Sequence, residues 1–188
     1  MLKFINFGKS FFRQYSGAFI RKFEIRLLAF KKVPEDYRSS IESWVLEAVS
    51  CKVQKLAMFS WKRGSAIAEH IIRSTIFTCR ILVSLKLSNI NFVKLKGIHL
   101  PLLKELRLDV CLDDEDSLSE LLQGCPLLKE VNLDIESEKD VNFPKSVCLP
   151  NLKALYLQGF KLSLDKDMHS VFIQSTSLDI WSSSAGEI

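Results

Sequence analysis

The sequence predicts an α/β fold in which short parallel strands follow one another along the chain, with helices or irregular segments connecting them. Three observations predict this fold. One six-residue apolar pattern occurs six times, and segments with helical signals lie between its occurrences. The length of 188 residues, with 47% hydrophobic and 26% charged residues, suits one globular domain with an ordinary core.

The repeated unit has the pattern apolar-x-x-apolar-x-apolar. Its last two apolar residues are two positions apart, so both lie on the same face of a strand, and the first lies at the turn into that strand. The middle apolar residues of the six units are Phe23, Leu56, Leu85, Leu106, Val131 and Leu155. Their separations are 33, 29, 21, 25 and 24 residues, and the last three fall within the period of leucine-rich repeats. The sequence therefore predicts a leucine-rich-repeat solenoid, a horseshoe segment with parallel strands on its concave side.

Helical signals occupy the segments between the units. One helix face is predicted by the apolar residues Ile41, Trp44, Val45, Ala48 and Val49. Ser117 and Glu120 have the spacing of a capping box that opens a helix, and Gly124 and Pro126 mark where that helix ends. A further helix before the third unit is suggested by Ile67, Ile71 and Ile72.

These signals divide the chain into three parts. We expect an N-terminal helical segment at 1–19 that packs on the first repeat, a leucine-rich-repeat domain at 20–169 and an irregular tail at 170–188. The N-terminal helix is predicted by the helical spacing of Phe4, Phe7, Phe11 and Tyr15. A mitochondrial transit peptide is the alternative for this segment, because residues 1–22 are basic and contain no acidic residue. The tail is rich in serine and lacks the repeated unit.

Charge is distributed unevenly along the chain. The net charge is +8 for residues 1–63, +4 for residues 64–112 and −8 for residues 113–188. A basic first half could attract acidic partners or nucleic acid. The favoured alternative is a solenoid whose two ends differ in charge, because no stretch alternates basic and aromatic residues as a base-stacking surface does. We therefore expect no nucleic-acid partner, and the short apolar runs predict no association with a membrane.

Residues with catalytic or metal-binding chemistry are scattered. The five cysteines contain no C-x-x-C pair, the three histidines lie far apart, and no common catalytic or phosphate-binding motif occurs. The acidic run at 113–116 lacks the ligand spacing and the glycine of a calcium loop. We expect no enzymatic activity, no metal and no cofactor, and we expect Cys125 to be a structural residue. An odd number of cysteines without a secretory signal favours an intracellular protein, cytoplasmic, nuclear or both.

A binding surface is the remaining functional prediction. On each strand, the residues that alternate with the core positions face away from the core, and stacking aligns them on one concave face. The candidate binding residues on this face are Glu24, Arg26, Phe59, Lys86, Arg107, Asp109, Asn132, Asp134, Tyr156 and Gln158. Tyrosine, arginine and phenylalanine are among the types that contribute strongly to protein interfaces. The alternative is an ordinary solvated strand face.

Several segments resemble one family of proteins. The segment LPLLKELRLDVCLDDEDSLSELLQGCPLLKEVNL at 100–133 resembles the plant F-box/leucine-rich-repeat proteins of the FBD-associated group, in which a strand, an acidic loop, a short helix and a Gly-Cys-Pro turn lead into the next strand. Three more segments resemble the same family, namely ESWVLEAVSCKVQKLAMF at 42–59, IFTCRILVSLKLSNI at 76–90 and CLPNLKALYLQGF at 148–160. The resemblance covers roughly residues 1–165.

The resemblance implies a non-enzymatic protein-interaction module. In the family, an F-box holds a Skp-type adaptor of an SCF-type ubiquitin ligase, and the repeats hold the substrate. This sequence resembles only the repeat region, so the alternative is a stand-alone binding protein that does not recruit a ligase. We therefore expect a protein partner for the repeats and no direct binding of the Skp-type adaptor by this chain.

Overall fold

The computed structural model describes residues 10–12, 19–27, 35–60, 74–91, 97–111, 115–136, 144, 147–158 and 179–183. Seven strands and three helices have the following bounds: β1 Lys22–Leu27, α1 Glu35–Ser50, β2 Lys55–Ser60, α2 Ser74–Phe77, β3 Ser84–Asn91, β4 Glu105–Cys111, α3 Glu115–Gln123, β5 Glu130–Glu136, β6 Ala154–Gln158 and β7 Asp179–Ser183. Residues 10–12 are also helical.

The strands form a single seven-stranded sheet in which spatial order equals chain order. Every neighbouring pair is parallel. The middle apolar residues of the six predicted units lie opposite one another in an unbroken register across the sheet, in the order Phe23, Leu56, Leu85, Leu106, Val131 and Leu155. This confirms the predicted α/β fold and the predicted strand register.

The repeated apolar residues make one continuous core. From the second unit onward, all three apolar positions of each unit are buried; Leu85 and Leu155 are 0% exposed and Leu106 is 2% exposed. In the first unit, Ile20 and Ile25 are buried, whereas Phe23 is half-buried. Each fully buried leucine stabilises the fold by about 2 kcal/mol. No single repeat can enclose its own apolar residues, so the core exists only because the strands stack.

A tight turn brings the chain into each of the strands β3 to β6. In each turn, the leucine that opens the unit donates its backbone N–H to the carbonyl oxygen three residues earlier, at 3.1 to 3.3 Å. The donors are Leu82, Leu103, Leu128 and Leu152, and the acceptors are Cys79, Leu100, Cys125 and Leu149. In the last three turns the second residue is proline, whose fixed φ suits that position of a β-turn. The turn chemistry thus sets the register of the strand that follows.

The first helix agrees with its predicted face. Ile41, Trp44, Val45 and Ala48 on α1 are buried in the core, and Val49 is partly buried against it. The short helix α2 contributes Ile76 and Phe77 to the core. The helix predicted from Ile67, Ile71 and Ile72 lies outside the described residues.

The predicted capping box of α3 is wrong. The helix begins at Glu115, so Ser117 lies inside its first turn, where it is buried. The two acidic residues at 115 and 116 occupy the start of the helix, where negative charge is favourable. Glu120 instead accepts a hydrogen bond at 2.7 Å from the backbone N–H of Gly97, which ties α3 to the preceding loop. The predicted helix end is confirmed, because the helix stops at Gln123, just before Gly124.

The N-terminal segment 1–19 is described only at residues 10–12 and 19. Phe12 is buried, and its ring packs on the ring of Phe23 with centroids 5.5 Å apart. Phe11 is half-buried and meets Phe12 edge to face at 5.3 Å. Phe4, Phe7 and Tyr15 lie outside the described residues, and the domain boundary at 19 stays a prediction.

The expectation of an irregular tail is wrong for residues 179–183. These residues form β7, which pairs in parallel with β6 and places Ile180 opposite Leu155. The repeated pattern does not predict this strand, because the corresponding unit has serine at 177 and 182 and keeps only Ile180 of its three apolar residues. The edge of β6 offers backbone groups that an extended segment can pair with, whatever its side chains. The other residues of the predicted tail lie outside the described ranges.

Among the described residues, no helix has both the length and the apolar character that crossing a lipid bilayer requires.

Candidate functional site: the outer face of the sheet

The side of the sheet that faces away from the core carries three rows of side chains, because alternate residues of a strand point to the same side. The first row contains Lys22, Lys55, Ser84, Glu105, Glu130 and Ala154. The central row contains Glu24, Ala57, Lys86, Arg107, Asn132 and Tyr156. The last row contains Arg26, Phe59, Ser88, Asp109, Asp134 and Gln158. We call this surface of β1 to β6 the outer face.

All ten candidate binding residues lie in the central and last rows of the outer face. Four of them are exposed, namely Arg26, Arg107, Tyr156 and Gln158. The other six are half-buried, namely Glu24, Phe59, Lys86, Asp109, Asn132 and Asp134. The sequence therefore predicted their common placement, and their role in binding stays a prediction.

At the β1 end of the outer face, one carboxylate forms ion pairs with two cations. Lys22 Nζ lies 2.8 Å from Glu24 Oε2, and Arg26 Nε donates a hydrogen bond to Glu24 Oε1 at 2.6 Å. The hydrogen bond from Lys22 and then that from Arg26 lower the pKa of the Glu24 carboxyl group below its ordinary value of 4.5. The guanidinium of Arg26 also lies 5.2 Å from the centre of the Phe59 ring, within the range of a cation–π interaction.

In the middle of the outer face, charges of the same sign lie opposite one another. Lys86 on β3 is opposite Arg107 on β4, and Glu105 on β4 is opposite Glu130 on β5. Neighbouring strands are about 4.8 Å apart, and like charges directly opposite each other destabilise a sheet. Within the described part of the chain, none of these four side chains takes part in an ion pair or a side-chain hydrogen bond. The middle of the face therefore carries two like-charged pairs that form no ion pair within the described residues.

A groove lies over these charges. Its volume is about 130 Å³, and it is lined by Lys86, Glu105, Leu106, Arg107, Glu130, Val131, Asn132 and Tyr156. Four of the predicted binding residues thus meet in one groove. Sequence reasoning missed Glu105 and Glu130, although each lies two residues before a predicted residue on the same strand, so the alternation of the strand could have identified them.

The described cysteines are core residues or lie away from this groove. Cys125 is 0% exposed, and burial raises the pKa of its thiol to about 12. Burial likewise raises the pKa of the Cys79 thiol above 9.0. Both groups are therefore protonated at neutral pH, and a protonated thiol is a poor nucleophile. Among the described residues, no group of three or more His, Cys, Asp or Glu side chains is arranged to hold a metal ion.

Comparison with known proteins identifies the relatives of this chain. The profile of a family described as "FBD-associated F-box protein At5g56370, LRR repeats" matches residues 41–143, more than half of the chain. An F-box/FBD/LRR-repeat protein of Arabidopsis thaliana, At5g22670, is 32% identical over 143 residues, which are 76% of this chain and 30% of that protein.

Two further relatives from Arabidopsis thaliana extend the comparison. The F-box/FBD/LRR-repeat protein At2g05300 is 27% identical over 176 residues, 93% of this chain and 38% of that protein. F-box/LRR-repeat protein 13 is 29% identical over 132 residues, 70% of this chain and 29% of that protein. The chain thus spans about a third of the length of these relatives, and no solved structure matches it. The strand register, the Gly-Cys-Pro turn after α3 and these matches agree, and the chain belongs to the plant FBD-associated F-box/leucine-rich-repeat family.

Proposed function

We propose that the outer face binds a protein, and that the chain acts in this way as the substrate-recognition region of an SCF-type ubiquitin ligase. The observation that carries the proposal is that a regular strand register presents polar, charged and aromatic side chains together on one face. The strands hold all ten candidate residues in register on one face, and two of them, Lys86 and Arg107, form no ion pair or side-chain hydrogen bond within the described residues. Side chains held by a packed scaffold lose little freedom on binding, which favours affinity.

The printed names of the relatives support the ligase part of the proposal, since they describe F-box proteins with leucine-rich repeats. In proteins of this kind, the resemblance implies that the F-box holds the adaptor while the repeats hold the substrate. The match at 41–143 is to the repeats. We therefore expect the 188-residue chain by itself to bind a substrate and not to bind the Skp-type adaptor.

Site-specific photo-crosslinking tests the binding face. Benzoylphenylalanine replaces Tyr156 on the outer face in one variant and Leu46 on α1 in the matched control. Both side chains are 40% exposed, so simple accessibility predicts equal crosslinking. We expect a discrete protein adduct in a plant-cell extract from position 156 and none from position 46. The double variant Lys86→Glu/Arg107→Glu should remove the adduct.

Two further measurements test the ligase part. The crosslinked protein should carry ubiquitin and become more abundant when the proteasome is inhibited. A pull-down with a purified Skp-type adaptor and the 188-residue chain should be empty. Equal adducts from both positions would contradict the binding face. A crosslinked partner that carries no ubiquitin and does not become more abundant when the proteasome is inhibited would instead favour a stand-alone binding protein.

A further inference from the structure

We propose that the groove on the outer face binds an extended segment of a partner protein in which an acidic and a basic side chain lie two residues apart. The inference rests on the proposed function, since it names the class of segment that the outer face recognises. It is carried by the two like-charged pairs in the groove and by the size of the groove.

The acidic side chain of the segment lies at the cationic pair. Lys86 and Arg107 are opposite each other on β3 and β4, and both line the groove. The acidic residues of the first row lie two positions away along the strands, about 6.6 Å, and no ion pair within the described residues joins them to this cationic pair. A carboxylate placed between Lys86 and Arg107 therefore removes their mutual repulsion and gains two charge-assisted hydrogen bonds.

The basic side chain of the segment lies at the acidic pair. Glu105 and Glu130 are opposite each other on β4 and β5, on the same groove. Asn132 on β5 and Tyr156 on β6 also line the groove. A guanidinium can donate N–H hydrogen bonds to the carboxylates of both glutamates and lie against an aromatic ring, a combination that an ammonium group matches less well. Arginine is therefore the preferred basic residue.

The dimensions favour a polypeptide segment over a small molecule. The groove of about 130 Å³ is well below the roughly 300–1,000 Å³ that encloses a small ligand, so it has room for side chains. The two charged pairs are offset by two residues along the strands and by one strand across, which is about 8 Å in total. Side chains two residues apart on an extended segment are attached about 6.6 Å apart. Because charged side chains are long, their charged groups can still reach both pairs.

The same arrangement excludes segments with charges of one sign. An acidic-x-acidic segment would place one carboxylate against Glu105 and Glu130, and a basic-x-basic segment would place one cation against Lys86 and Arg107. Repulsion at one of the two pairs then offsets the attraction at the other. The groove therefore selects for one charge of each sign.

Peptide display on the full 188-residue chain tests the inference. A library of random 12-residue peptides is selected on the immobilised chain and on two charge-reversed variants, Lys86→Glu/Arg107→Glu and Glu105→Lys/Glu130→Lys. The chain should enrich peptides with an acidic residue two positions from arginine. Each reversed variant should bind those peptides about tenfold more weakly or worse. Each should in turn enrich peptides in which the matching charge is reversed.

A matched control separates local from overall charge effects. The variant Lys52→Glu/Arg80→Glu changes the net charge as much as Lys86→Glu/Arg107→Glu does, but its substitutions lie at exposed turn positions before β2 and β3. It should bind the selected peptides as the unmodified chain does. Circular dichroism and thermal unfolding establish that every variant is folded before it is used.

The outcomes distinguish this inference from the proposed function. The inference would be overturned if the selected peptides lack the opposite-charge pair and still bind both charge-reversed variants but do not bind Tyr156→Ala. That result would leave the outer face as the binding surface. No enrichment on the folded chain would also overturn the inference, while crosslinking at position 156 would still support the outer face. If no outer-face substitution changes peptide binding and position 156 gives no crosslink, both the inference and the proposed function would be overturned.

Discussion

The core face of the sheet carries apolar residues of similar size on β1 to β6, whereas the outer face changes its chemistry from one strand to the next. On β4, for example, Leu106 and Leu108 are 2% and 1% exposed, while Arg107 between them is exposed. Adjacent positions of one strand thus obey different constraints. Packing restricts the core face to a narrow set of side chains, and the outer face is restricted only by what it contacts.

This difference indicates which residues determine stability, and the proposed function assigns binding to the other face. The fold should respond strongly to any change of volume in the core rows and weakly to changes of charge on the outer face. Binding should respond in the opposite way. Substitutions of neighbouring residues on a single strand can therefore test this difference between the two faces.

The largest expected effect comes from Leu106→Ala. Removing this side chain leaves a cavity in the middle of the stack and should lower the free energy of unfolding by about 2–5 kcal/mol. The neighbouring change Arg107→Ala should alter it by no more than about 0.5 kcal/mol. Urea unfolding followed by circular dichroism measures both. Equal losses from the two substitutions would show that the two faces do not differ as described.

Gly124→Ala should have the next largest effect. A Cβ atom at this position would lie 2.7 Å from the carbonyl oxygen of Ile98 and 2.8 Å from its Cγ2, so backbone would have to move. We expect a loss of about 1–3 kcal/mol in thermal or urea unfolding. The matched control is Gly97→Ala, which meets no atom within 4 Å but has a φ of +70°.

The two glycines should differ in how they can be replaced. Gly97→Ala should lose about 1 kcal/mol from backbone strain alone, and Gly97→Asn should recover part of that loss because asparagine tolerates a positive φ. Gly124→Asn should recover nothing, since space is limiting at that position. Recovery at Gly124 would contradict the close approach to Ile98.

Asn89→Gly should have a smaller effect. Asn89 has a φ of 57° and lies where the register between β3 and β4 shifts, and its Nδ2 donates to the carbonyl oxygen of Ser60 at 2.7 Å. Glycine keeps the backbone conformation and loses this hydrogen bond, which costs about 1 kcal/mol. Asn89→Ala also strains the backbone and should cost about 1 kcal/mol more. Equal unfolding free energies for the two variants would exclude backbone strain as a factor.

The core face could be predicted from the sequence because its periodicity follows directly from strand geometry and from the need to bury leucine. The register of Leu85, Leu106, Val131 and Leu155 is an example, since the spacing of apolar residues admits only one alignment that buries them all. The face of α1 follows from the same reasoning with a helical period.

The features that sequence reasoning missed depend on contacts between distant segments. The hydrogen bond from Gly97 to Glu120 joins residues that are 23 positions apart. The strand β7 forms on the edge of β6 although its unit keeps only one apolar residue. Glu105 and Glu130 are different, because each lies two residues before a predicted binding residue and the alternation of the strand identifies them.

The smallest expected effect comes from Glu24→Gln on the outer face. Lys22 and Arg26 lower the pKa of the Glu24 carboxyl group in the folded chain, so its contribution to stability is present above the unfolded pKa, near 4.5, and is lost as the pH falls through the lower folded value. At neutral pH, glutamine should cost less than about 1 kcal/mol, because the pair is at the surface and screened. The variant should also lose less stability than the unmodified chain on acidification below pH 4.5. Adding 1 M salt should reduce the difference at neutral pH, since the Debye length falls to about 3 Å, whereas the loss caused by Leu106→Ala should persist. A salt-independent difference for Glu24→Gln would mean that this carboxylate contributes through packing and not through charge.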